Sequence, residues 1–245
     1  MYTAKDTGRG YAVYSTDQDQ SSSHRLTLVG ELRHAIAEGQ LALLYQPKID
    51  LQTGQVRDVE ALVRWRHPKL GTILPDEFIP LAERTGLITP LTLWVLREAL
   101  RQCRAWHKAG LAIRVAVNLS RRNLQAQELP DQIVDLLQAS GVSPDNLELE
   151  ITESAIMANP ERAIGVLSRI KNIGLRVSLD DFGTGYSSLA CLKKLPVDEI
   201  KVDKSFVINM EADEQDVAIV RLVIDLAHIL GLNVEIGRAS CRERV

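Results

Sequence analysis

From Leu41 onward the chain alternates between two periodicities, and that alternation limits its fold more than any other feature. The stretch "LALLYQPKIDLQTGQVRDVEALVRW" reads as two strands joined by a turn at Thr53 and Gly54. Helices are expected in "PDEFIPLAERTG" and in "TPLTLWVLREALRQCRAWHKAG", the latter capped by Thr89 with Pro90 in its first turn. After these come strand "IRVAVNLS", helix "LPDQIVDLLQASG", strand "LELEIT" and helix "NPERAIGVLSRIKNIG", with Asn159 as cap. Strands "LRVSLDDF" and "EIKVD" flank the short segment "YSSLACLKKL"; helix "DEQDVAIVRLVIDLAHILG" and a strand beginning at "LNV" follow. Strands and helices taking turns in this way imply a parallel sheet covered by helices, and so many repeats favour a closed β/α barrel over an open sheet.

Upstream, apolar residues recur at helical spacing from Arg25 to Glu38, and Gly39 closes that helix. Residues 15–24, "STDQDQSSSH" with no apolar side chain, read as a linker. Residues 1–14, "MYTAKDTGRGYAVY", read as a helix end, a glycine turn and a small strand.

Composition excludes several function classes. A net charge of −3 over 245 residues argues against DNA as a partner. No apolar run approaches the ~18 residues of a membrane span, and no signal-peptide pattern opens the chain. Cys103, Cys191 and Cys241 form neither a disulfide framework nor a zinc spacing. Cys103 reads as a core filler, and a reducing cytoplasmic setting fits.

In a β/α barrel the active site lies at the C-terminal strand ends. There the sequence sets Glu60, Asn118, Glu150, the pair Asp180 and Asp181, and Lys201, on five successive strands. Each has a bland reading as exposed strand residue, helix cap, turn former or solvated charge. The same kind of exception repeated at the same end of every strand favours a joint role. Hard oxygen donors suit Mg²⁺ or Mn²⁺ rather than zinc. Adjacent aspartates suit two metals roughly 3.5–4 Å apart, the clamp used on phosphate esters.

These segments resemble a known family. "YQPKIDLQTGQVRDVEALVRWRHP" is similar to the opening of an EAL domain, with Glu60-Ala61-Leu62 as the name motif. "FIPLAERTGLI", "VNLS", "LELEITES", "DDFGTGYSSL" and "EIKVDKSFV" follow in that family's order, from about Arg25 to Val234. The resemblance implies a TIM-like (β/α) barrel with an antiparallel first strand and a bacterial signalling phosphodiesterase that hydrolyses cyclic di-GMP to linear pGpG. It implies that Glu60, Asn118, Glu150, Asp180 and Asp181 bind a pair of Mg²⁺ or Mn²⁺ ions. Lys201 would act on the attacking water or the phosphate, making Lys201, Glu60 and Asp180 the catalytic set. Gln46 and Arg64 would contact the dinucleotide, where a guanidinium suits a phosphate. Glu153 would hold the loop "DDFGTGYSS", through which the parent protein would form a homodimer. The alternative is a catalytically inactive module that binds cyclic di-GMP or regulates a larger protein.

Residues 1–14 resemble the last helix and strand of a GGDEF (diguanylate cyclase) domain, making Met1 internal to a longer protein whose upstream part could carry a membrane anchor. The far end departs from the EAL pattern. Residues 25–234 form the EAL-like unit, but "EIGRASCRERV" (235–245) follows where the family has a catalytic glutamate, a last strand and outer helices. Those residues are similar to the translation of a common sequencing adapter, and all their codons match; they are read as no part of the fold. Gly237 falls where the family's glutamate stands, and Glu235, two residues earlier, is read as turned the wrong way to replace it. The barrel is thus expected to be incomplete at its C-terminus, and the chain poorly folded and inactive.

Overall fold

The computed structural model describes residues 16–183, 189–208 and 210–237. The cyclase-like residues 1–14 and residues 238–245 lie outside this range.

Helix α1 (Thr16–Glu38) ends at Gly39, whose φ of 75° needs a residue without Cβ. It begins earlier than its apolar stripe suggests, so most of the linker-like segment is helical. That segment holds neither glycine nor proline. A helix anchored by buried Leu28, Leu32 and Ala35 extends through such residues at little cost per residue, since nucleation is the expensive step.

Strands β1 (Leu41–Ile49) and β2 (Val56–His67) form an antiparallel hairpin in which Gln46 faces Glu60 and Lys48 faces Asp58. The turn is fastened by Asp50, whose Oδ1 accepts from the backbone N–H groups of Gln52 and Thr53. A three-residue strand β3 (Gly71–Ile73) folds back on the end of β2; it is too short for periodicity to reveal.

Beyond it run α2 (Pro75–Thr85), α3 (Ile88–Lys108), β4 (Arg114–Leu119), α4 (Leu129–Ser140) and β5 (Leu147–Thr152). There follow α5 (Glu153–Met157), α6 (Pro160–Ile173), β6 (Arg176–Phe182), α7 (Leu189–Leu192) and β7 (Glu199–Val202). The described chain ends with α8 (Lys204–Ile208), α9 (Glu214–Ile229) and β8 (Asn233–Ile236). Helix α3 starts one residue before Thr89, with Leu87 as its cap position, so Thr89 lies inside it. Asn159 caps α6 as expected, its Oδ1 accepting from Arg162 N–H.

The sheet order is β1-β2-β4-β5-β6-β7-β8, parallel throughout except for the β1–β2 pair, as the family resemblance implied. Side chains alternate strictly. Val115, Val117, Leu147, Leu149, Ile151, Val177, Leu179, Ile200 and Val202 are buried in the apolar core with the helices. The opposite face carries Asn118, Glu148, Glu150, Ser178, Asp180, Glu199 and Lys201. A barrel interior is ordinarily filled with branched apolar residues; here it is filled with charge. Among the described residues β1 pairs only with β2 and β8 only with β7, so these are the sheet's two ends. The sheet curls enough for Lys48 of β1 to reach Glu235 of β8 at 2.7 Å.

No described helix is long and apolar enough to cross a membrane.

Candidate active site

Parallel registers bring the strand ends together. Asn118 is the Cα partner of Glu150, Glu150 of Ser178, and Thr152 of Asp180. Lys201 stands at the centre of the resulting rim. Its Nζ donates to Glu150 Oε2 at 2.7 Å and lies 3.5 Å from Glu60 Oε2 and 3.4 Å from Asp180 Oδ2. Asn118 Nδ2 donates to Glu60 Oε1 at 2.7 Å, fixing that carboxylate's orientation.

Charge states follow from these contacts. Burial and the nearby Glu150 push the Glu60 carboxyl up, against Lys201 and Asn118. Complete burial would do the same to Glu150, but Lys201 and Lys48 hold it below the ordinary carboxylate value. Burial opposes charge on both lysines, yet the surrounding carboxylates raise each above its usual value.

Asp181 carries the one positive φ of a non-glycine residue among those described, 54°. Asp is one of the few residues that adopt this conformation readily. Desolvation by surrounding groups, then the charges of Asp180 and Asp203, push its carboxyl up to about 6, although the side chain is exposed. It shares a hydrogen bond with Asp203, whose carboxyl is held low, against desolvation, by Ser205 and Asp181.

Glu153, 2% exposed, accepts from Gly183 N–H through Oε2 at 3.3 Å. It thus grips the start of the loop that follows Asp181; residues 184–188 of that loop lie outside the described range. Gln46 sits opposite Glu60 on β1. Arg64 lies four residues beyond Glu60 on β2, buried, with Nη1 donating to its neighbour Val63 O. A groove of about 780 Å³ opens beside Asn118 between β2, α2 and α3, lined in part by Leu62, Asp76, Ile79, Ser120 and Arg121.

Below the rim lies a second charged layer that motif reading missed. Lys48 Nζ is 2.7 Å from Glu150 Oε1, 3.2 Å from Glu148 Oε1 and 4.0 Å from Glu199 Oε1. Arg176 Nε donates to Glu148 Oε2 at 3.2 Å. Glu199, half-buried beside Glu148, is pushed up to about 7, desolvation first and Glu148 second. The sequence did hold the signal: Lys48, Glu148 and Glu199 each stand two residues from a chosen site residue on the same strand, hence on the same strand face.

The same rule corrects the reading of Glu235. Residues two apart on a strand point the same way, so Glu235 shares the face of Gly237. It is the Cα partner of Lys201, and its carboxylate points inward to Lys48. At Gly237 a Cβ would come within 2.7 Å of Val202 O, so a side chain there would force a backbone shift.

No group of three or more His, Cys, Asp or Glu side chains among the described residues is spaced to hold a metal ion as it stands. The donor chemistry nevertheless fits a hard divalent cation: carboxylate and amide oxygens, with the Lys201 ammonium standing as the positive charge among them.

Fold and site define a TIM-like barrel with an acidic centre at the C-terminal ends of its strands. The chain belongs to the EAL domain family, whose model matches residues 29–236. It is 42% identical over 96% of its length to the bifunctional diguanylate cyclase/cyclic di-GMP phosphodiesterase MucR of Pseudomonas aeruginosa, covering 34% of that protein. It is 43% identical over 96% of its length to the cyclic di-GMP phosphodiesterase NbdA of the same organism, covering 30%. The chain thus spans about a third of the length of these relatives. A solved structure of a MucR phosphodiesterase in complex with c-di-GMP superposes with a TM-score of 0.82 at 42% identity, over 86% of this chain and 85% of that one.

Proposed function

We propose that this domain is a cyclic-di-GMP phosphodiesterase that opens one phosphodiester bond to give linear pGpG. The observation that carries the reading is the convergence of Glu60, Glu150 and Asp180 on Lys201 at the open end of the barrel. Membership of the EAL family and likeness to a c-di-GMP complex support the choice of substrate. In the reaction the oxygen of a water molecule bonds to phosphorus and the bond to the ribose 3′ oxygen breaks. That oxygen takes up a proton, and the phosphate remains on the 5′ side of pGpG.

Glu60, Asn118, Glu150, Asp180 and Asp181 would hold Mg²⁺ or Mn²⁺, as one ion or a pair. A cation bound there would lower the pKa of water and stabilise the developing phosphate charge. The chain's own groups do the rest. Asn118 orients Glu60, and Lys201 brings a fixed positive charge to the place where the phosphate gathers negative charge. Gln46 and Arg64 would contact the dinucleotide, with the groove beside Asn118 leaving room for a ligand of that size. Glu153 would keep the loop after Asp181 in its binding shape, and that loop would serve a homodimer contact.

A second reading, binding of cyclic di-GMP without turnover, is favoured by Gly237, which offers no carboxylate where the family resemblance puts one. Chromatographic assay of pGpG released from cyclic di-GMP with Mg²⁺ or Mn²⁺ decides between them. Release that disappears with chelator supports hydrolysis. Saturable cyclic-di-GMP binding with no release supports the second reading, and neither binding nor release overturns both.

A further inference from the structure

The Lys48 ammonium and the fully buried Glu150 carboxylate form a contact that the chemistry above does not use. Each oxygen of Glu150 has its own lysine. Oε2 receives Lys201 from the rim, and Oε1 receives Lys48 from beneath, both at 2.7 Å. The two cations differ in setting. Lys201 is drawn toward three rim carboxylates at once. Lys48 comes from the reversed strand β1 and is held in place below by Glu148, Glu199 and Glu235.

From this arrangement we infer that Lys48 is a positioning residue: by tying down Glu150 Oε1 from the floor of the barrel, it keeps Oε2, the oxygen that also meets Lys201, turned to the rim as the one Glu150 offers a cation there. The inference deepens the proposed function and rests on its metal reading. A carboxylate can turn about its last bond and bind through either oxygen or both. An ammonium donor fixed to one oxygen removes that freedom before a cation arrives. Groups hydrogen-bonded behind a metal ligand typically change metal affinity or activity by ~10–100-fold when removed.

Lys48 is suited to this task because its anchor on Glu148 does not involve the rim. Glu148 is in turn held by Arg176, so the support passes from Arg176 through Glu148 and Lys48 to Glu150. Sequence alone could hint at it: Lys48 follows Gln46 by two residues on β1, and Glu148 precedes Glu150 by two on β5.

The test is Mn²⁺ affinity, measured by calorimetry and by the paramagnetic signal of free Mn²⁺, with no substrate present. Lys48→Met should weaken Mn²⁺ binding by ~10-fold or more, and Lys48→Arg should recover most of it. Glu148→Gln, which loosens the anchor but leaves Lys48 on Glu150, should weaken Mn²⁺ binding by less than Lys48→Met does. If Lys48→Met is insoluble, the double variant Lys48→Met/Glu148→Gln removes a buried carboxylate with the lysine and carries the same comparison. Equal Mn²⁺ affinity in wild type and the Lys48→Met background overturns the inference while leaving the metal reading intact. A wild type that takes up no Mn²⁺ overturns the metal reading and the inference together.

Discussion

The rim and the floor of the barrel interior are built from the same strands, two residues apart, yet they settle their charge differently. On the floor, Glu148 and Glu199 lie among fixed internal cations, Lys48 and Arg176, with Glu235 closing the group across the ends of the sheet. On the rim, Glu60, Glu150, Asp180 and Asp181 have one lysine of their own, Lys201, with Lys48 reaching Glu150 from the floor and Asn118 bringing only a neutral amide. The floor is nearly self-sufficient; the rim is short of positive charge. A layer whose carboxylates exceed its cations is one that gains from a cation taken from solution, whereas the layer beneath it serves to keep the strands and the buried Glu150 in place.

The sharpest way to break this contrast is to remove a carboxylate from the rim. Glu60→Ala or Asp180→Asn should bring pGpG release to background, a loss of ~100-fold or more as expected for a fixed electrostatic group at a reacting centre. Release at the wild-type rate in either variant would show that the rim is not where the reaction occurs. Next in size is Glu153→Ala, which frees the backbone of Gly183 at the start of the loop. Hydrolysis should fall by ~10-fold and need more Mg²⁺ for half-maximal rate, the scale typical of groups supporting a metal site. An unchanged Mg²⁺ titration would reduce Glu153 to a packing role.

The floor has its own signature in pH. The Glu199 carboxyl titrates near 4.5 when unperturbed and about 7 in the fold, raised by desolvation and Glu148. Because the folded state keeps that proton after the unfolded state has released it, Glu199 contributes stability at low pH that is lost as pH climbs from about 4.5 through about 7. The expected loss is on the order of 3 kcal/mol, read as a fall in urea midpoint between the ends of that window. Glu199→Gln should flatten that slope; an equally steep slope in the variant would assign it to other groups. The smallest effect belongs to the outer surface. Arg101 and Glu98 pair across one turn of α3 in an exposed setting, and Arg101→Ala should cost under ~0.5 kcal/mol. A larger fall in melting temperature would mean that charge outside the barrel matters as much as charge within.

How much of this was legible beforehand follows from what each signal depends on. The alternation of strand and helix gave the parallel order, and Asn159 and Gly39 marked helix boundaries through backbone chemistry that is local. The rim was legible because a polar residue ending an apolar strand breaks the pattern on its own. The floor was not, because Lys48 in "YQPKI" and Glu148 in "LELE" look like the solvated positions of one-sided strands until the sheet curls and encloses them. The reversal of β1 was known only through family likeness, since periodicity carries no direction. Glu235 was misjudged by neglect of a two-residue period that the sequence itself displays.

The reversed β1 has one more consequence. Leu41, where β1 begins, pairs with Trp65 near the rim end of β2, while the Asp50–Gly54 turn lies at the far end. Helix α1 is joined to the same end: Glu31 meets His67 at 3.1 Å, and the Gln40 carbonyl accepts from Arg66 N–H. Were β1 parallel to its neighbours, a helix preceding it would enter the sheet at the floor. Here α1 is fastened instead at the lip of the barrel, within a few residues of Glu60.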